Sequence, residues 1–85
     1  MEEVMVGRVV KYFPKIMVAA VRIDEGELRI GDRIKIKGHD AEFEQVVESM
    51  QVEHRNVERA GKGTDVGIKV KERVRENDRV FLLKG

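Results

Sequence analysis

Three features of this sequence predict an all-β fold. Fourteen Val and six Ile stand against three Leu, and β-branched side chains suit a pleated surface better than a helix. Apolar and charged residues alternate with period two around Ile34 and Ile36, and again around Val66, Ile68 and Val70. The segments between such runs carry turn residues, notably Phe13-Pro14, Asp24 to Glu27 with Gly26, and Gly31-Asp32. Eighty-five residues allow one core, so the reading is a single domain over 1–85.

The elements follow in order. Val4 to Tyr12 and Ile16 to Ile23 are almost continuously apolar, as strands covered on both faces are. Pro14 between them lacks an N–H for a ladder, so the chain turns there. Arg33 to Lys37 and Val66 to Lys71 alternate as strands with one wet face, and Val80 to Leu83 closes the chain as a short last strand.

Residues 41–60 support two readings. Val46, Val47, Met50 and Val57 recur at helical offsets from Phe43, with Asp40 as N-cap and Gly61 as terminator. The competing reading is a long strand bulged at Val46-Val47, followed by a loop.

Composition excludes several classes. Without cysteine there is neither a disulfide framework nor a thiol nucleophile. No apolar run approaches the roughly 18 residues of a membrane span. The opening Met1-Glu2-Glu3 is unlike a signal peptide, so the expected setting is cytoplasmic. Charged residues make up 39% of the chain yet leave only +1, a mixture that fits a protein from a hot environment. The distribution is uneven: +2 over 1–39, −5 over 40–58 and +4 over 59–85. Lys69, Lys71, Arg73 and Arg75, with Lys11 and Lys15, form a candidate phosphate-engaging patch, the alternative being a solvated surface of paired charges.

No catalytic constellation is visible. Ser49 and Thr64 are the only hydroxyls apart from Tyr12, and neither lies in a nucleophile motif. His39-Asp40 with Glu42, and His54 with Glu53 or Glu58, lack the fixed geometry of a metal site. Gly61-Lys62-Gly63-Thr64 reads as a tight turn, because a phosphate loop needs the strand before it, the helix after it and a longer cradle. The expectations are no enzyme, no cofactor, no metal and no GTP.

Val18 to Ile23, Glu27 to Asp32 and Arg33 to Gly38, together with Ser49-Met50-Gln51-Val52 and Gly63-Thr64-Asp65-Val66-Gly67, resemble the second domain of elongation factor Tu and of elongation factor one-alpha. The resemblance runs from Val6 to Leu83. It implies a small antiparallel β-barrel of six or seven strands, the translation-factor domain 2 type, and makes 42–53 a strand. It also implies contact with the 3′ end of a tRNA, or with ribosomal RNA, through Gln51, His54, Asp65 and Lys69. Lys71 and Arg73 extend that candidate RNA surface. The sequence departs from the family at Gln51, Asp65 and Lys69, where the family has glutamate, asparagine and an apolar residue.

The alternative function is a protein-interaction accessory module. Similar barrels close collagenase-like peptidases, some of which resemble RNA-modifying enzymes. The first two strands are apolar on both faces, which makes Met5, Val9, Met17, Val21 and Phe81 candidates for an exposed patch that binds a protein partner or a second copy.

Overall fold

The computed structural model describes residues 2–39 and 42–85 and, among them, shows ten strands and no helix. In chain order these are β1 (Glu2–Phe13), β2 (Val18–Ile23), β3 (Glu27–Arg29), β4 (Arg33–Lys37), β5 (Glu42–Val46), β6 (Met50–Val52), β7 (Arg55–Val57), β8 (Arg59–Gly61), β9 (Asp65–Lys69) and β10 (Arg79–Lys84). Eight of them pair antiparallel in the order β5-β4-β10-β1-β2-β9-β6-β7, and β3 pairs with β8. The all-β antiparallel expectation holds. The strands are more numerous than the six or seven expected, and among the described residues main-chain pairing does not join β5 to β7 to complete a barrel.

Residues 42–60 are not helical. Their helical spacing is produced by two short strands, β5 and β6, separated by an irregular stretch at 47–49. Phe43, Val47 and Met50 all reach the core that way, and tertiary packing overrides the local helical preference. The expected N-cap, Asp40, lies outside the described residues.

One hydrophobic cluster fills the interior, built from inward residues of nearly every strand: Val6 and Val9, Ala19, Val21 and Ile23, Ile34 and Ile36, Phe43, Met50, Val66 and Ile68, and Val80. Val9 and Val21 face each other across β1 and β2 and are fully buried. Their expected place in an exposed patch is therefore corrected, because they belong to the inward set of their strands. Met5 and Met17 are exposed and Phe81 is partly so.

β1 holds the sheet together by pairing on both sides. Its register slips against β10 between Met5 and Gly7, and against β2 between Val9 and Lys11. Such bulges bend a strand and raise its twist, which lets a long strand follow a curled sheet. At the first slip the Gly7 backbone lies so close to the Arg22 carbonyl that a Cβ would overlap the oxygen.

Two corners repeat one device. The Asp32 N–H donates to the Arg29 carbonyl and the Asp78 N–H to the Arg75 carbonyl, each at 3.1 Å. Gly31 and Asn77 occupy the third positions at φ 96° and 75°, as glycine and asparagine do in turns that need a left-handed residue. The carboxylates of Asp32 and Asp78 accept the N–H of Arg29 and Arg75, each at 2.9 Å. The two corners feed β4 and β10, which pair with each other.

Where the ladder is incomplete, a side chain stands in for backbone. The Gln45 amide donates from Nε2 to the Lys69 carbonyl at 2.8 Å and accepts the Lys71 N–H at Oε1 at 3.0 Å. It thereby ties β5, at one end of the sheet, to the chain leaving β9.

Two outcomes are expected. Gly7→Ala destabilises the fold by about 3 kcal/mol, the upper end for overpacking, whereas Gly61→Ala, where nothing lies within 4 Å of the added Cβ, stays within about 0.5 kcal/mol; urea midpoints compare them. Gln45→Glu replaces the donor with a carboxylate facing a carbonyl and costs about 1–2 kcal/mol at neutral pH. A melting series shows the deficit shrinking in acid as that carboxyl protonates, and an unchanged melting temperature at neutral pH would contradict the seam.

Candidate interaction surface

The β1–β2 hairpin turns through Pro14 to Met17, and Phe13 pairs with Val18 at its base. Met17 takes φ 52° at the end of the turn, and its carbonyl accepts the Val70 N–H at 2.9 Å. This bond pins the tip against the chain after β9. The tip is markedly apolar for a solvent-facing turn: Ile16 is 60% exposed, Phe13 38% and Met17 37%. Lys11 lies over the Phe13 ring with Nζ 5.1 Å from its centre, a cation–π contact that orients the ring.

A groove lies on each side of the tip. The first, of about 280 Å³, is walled by Phe13, Ile16 and Val18, floored by Ala20 and Gly67, and rimmed by Gln51, His54 and Asp65. The floor is flat because Ala20 and Gly67 are opposed across β2 and β9, and Gly67 in turn opposes Gln51 across β9 and β6. The second groove, of about 670 Å³, runs between Met17, Val46, Glu48, Lys69 and Lys71.

The rim of the first groove is formed by an unusual hairpin. β6 and β7 are joined by only Glu53 and His54, and Val52 pairs with Arg55. Both linking residues have positive φ, 50° and 66°, as a two-residue hairpin of this kind requires, although asparagine and glycine are the residues that fit there readily. Left-handed residues of other types carry strain of order 1 kcal/mol or more and cluster at functional sites.

The six residues expected to contact RNA do not converge. Gln51, His54 and Asp65 share the first groove. Lys69 and Lys71 line the second. Arg73 is exposed and lines neither. Two of the three first-groove residues are already engaged: Gln51 Nε2 donates to Asn56 Oδ1 at 3.1 Å, and Asp65 forms a two-point ion pair with Arg22, Nε to Oδ1 at 2.8 Å and Nη2 to Oδ2 at 3.1 Å. The sequence reading missed Phe13, Ile16 and Arg22. Phe13-Pro14 marked the turn, but only the fold shows that the apolar residues flanking it stay in solvent.

Gly61 to Thr64 is a turn between β8 and β9, with Gly63 at φ 87° and the Thr64 N–H on the Gly61 carbonyl at 3.2 Å. Among the described residues no cluster of metal-ligating side chains occurs, and no helix is long and apolar enough to cross a membrane.

Hydrogen bonding and charge from Arg22 hold the Asp65 carboxyl below its usual value of 3.8, and Asp65 raises Arg22 in return. A depressed carboxyl contributes stability that is complete above its unfolded value and is lost as the pH falls through the folded one. Melting temperatures of the wild type and Asp65→Asn therefore differ at neutral pH and converge as the pH falls through the lowered Asp65 value; a constant difference would assign the effect to something other than this ion pair.

No protein-family model matches the chain. An uncharacterized protease of Methanocaldococcus jannaschii is 46% identical over 83 residues, which is 96% of this chain and 20% of that protein. A collagenase of Porphyromonas gingivalis is 41% identical over 81 residues, 94% of this chain and again 20% of the relative. The chain thus spans about a fifth of the length of the curated relatives it matches. In shape it is similar to the crystal structure of the C-terminal domain of a Geobacillus thermoleovorans protein assigned to the U32 peptidases. The TM-score is 0.86 at 24% identity, over 93% of this chain and 91% of that one. The selenomethionine variant of that domain gives 0.84 at 25% identity, over 89% and 95%.

These findings correct two expectations. The elongation-factor resemblance is replaced by similarity to protease and collagenase sequences and to a U32 peptidase C-terminal domain. The motifs that suggested it, an apolar-Gly-Asp corner and a Gly-x-Asp-Val-Gly strand, are what a small curled sheet needs at its corners and flat places, and so they do not discriminate. The expectation of no enzyme is corrected as well, because the relatives that contain such a segment are named as a protease and collagenases.

Proposed function

We propose that this chain works as the C-terminal β-domain of a U32-type peptidase and docks on the rest of that enzyme, or on its protein substrate, through the apolar tip of the β1–β2 hairpin. The observation that carries this reading is the mismatch of coverage: nearly all of this chain matches only a fifth of the relatives. A segment of that size is an appended unit of a larger protein. Ile16, Phe13 and Met17 supply the contact. They are exposed on a turn that main-chain bonds hold in place, and large apolar side chains on a rigid turn lose little entropy on docking.

An RNA-contact reading through Gln51, His54, Asp65, Lys69, Lys71 and Arg73 has less support. Lys69 and Lys71 lie in the other groove, and the Asp65 carboxylate would have to leave Arg22.

Calorimetric titration of the 85-residue chain into a U32-type peptidase lacking its own C-terminal domain tests the proposal. Saturable binding with a negative heat-capacity change is expected, falling at least about tenfold in Phe13→Ser/Ile16→Glu, since burying two such side chains is worth more than 1.4 kcal/mol. The melting temperature of that variant stays near wild type, because both residues are exposed. No binding to the peptidase or to gelatin would overturn the reading.

A further inference from the structure

Strand register places four cations in one line across the outside of the sheet. Lys37 of β4 is opposite Arg79 of β10, Arg79 is opposite Arg8 of β1, Arg8 is opposite Arg22 of β2, and Arg22 is opposite Asp65 of β9. All five residues are exposed, and directly opposed residues share a face of the sheet. With neighbouring strands about 4.8 Å apart, the four cations cover about 15 Å.

This arrangement opposes the fold's own interest, because like charges directly opposite one another destabilise a sheet. The internal compensation is confined to the ends. Arg22 is paired with Asp65 at 2.8 Å and feels Asp24, and Lys37 reaches Glu42 at 3.9 Å, a carboxylate that it shares with Lys35. Arg8 and Arg79, in the middle, have no ionic partner among the described residues.

We infer that the Arg22–Arg8–Arg79–Lys37 row is a docking site for an acidic face of an α-helix on a partner protein. Residues three or four apart on a helix have Cβ atoms about 5–6 Å apart, close to the spacing of the strands that carry the cations, and each guanidinium can grip a carboxylate at two points. The length fits too: about 15 Å is ten helical residues at 1.5 Å each. A long nucleic-acid strand suits the row less well. Asp65 and Glu42 close it at both ends, and the chain as a whole carries only +1, which gives a polyanion little attraction beyond the row. The row adjoins the first groove at Asp65, uses none of the apolar tip residues and does not depend on the peptidase reading.

The test is an amide NMR titration at low salt with three probes: a stapled alanine-based helix bearing three Glu on one face, its isomer with the same Glu spread around the helix, and a short single-stranded RNA. Shifts centred on Arg8 and Arg79 are expected with the one-faced helix, with affinity at least about tenfold above the isomer and falling with salt. Arg8→Thr/Arg79→Thr removes the binding while the melting temperature stays level or rises, since an opposed like-charge pair has been relieved. Equal binding of the two helices, absence of shifts, or tighter binding of the RNA through the same residues would each overturn the inference.

Discussion

The double pairing of β1 is the constraint on which the rest of the molecule depends. β1 bonds to β10 along one edge and to β2 along the other, so it must bend as the sheet curls. Its two register slips supply the bend, and Gly7 is the residue that allows the chain to approach the Arg22 carbonyl at the first of them. With β1 bent, Val6 and Val9 both point inward despite their spacing of three, which a regular strand with period two would forbid. The same geometry determines which side chains remain outside. Arg8, Lys11 and Phe13 are exposed on the strand that Val6 and Val9 anchor to the core.

The ends of the sheet are handled differently from its middle. β5 and β7 are its outer strands, and neither is long or apolar enough to invite another chain to pair along it. Gln45 spans the gap on the β5 side with an amide that imitates a peptide group. The β7 side ends in the two-residue hairpin of Glu53 and His54. Both devices lie at the end of the molecule where the β1–β2 tip projects, so irregular backbone and the exposed side chains of Phe13, Ile16 and Met17 are found together. Elsewhere, apart from the slips in β1, some outward charges pair across strands, as Lys35 does with Glu3 and Glu42.

Two surfaces follow from this construction, and they differ in kind. The hairpin tip offers Phe13, Ile16 and Met17, contacts that are insensitive to salt. The cation row offers charge and spacing, which favour fast association and orientation over tight binding. Together they give a domain of 85 residues two neighbouring points of attachment, which meet at Asp65, the residue that closes the row and rims the first groove.

By itself the sequence determined the all-β class, because its Val and Ile content and its alternation are local properties of strands. It also determined the turns at Pro14, Gly31 and Gly63, where backbone chemistry leaves few choices. It did not decide whether 41–60 was helix or strand, since Phe43, Val46, Val47 and Met50 satisfy both periods once an irregular stretch is allowed. Nor did it separate buried from exposed among near-continuous apolar runs: Val9 and Val21 are interior while Ile16 and Met17 are in solvent, and only the bulges and the register make that distinction. The line of Lys37, Arg79, Arg8 and Arg22 is invisible along the chain for the same reason. Those residues are brought together by pairing between strands far apart in sequence, and that pairing is a property of the tertiary fold.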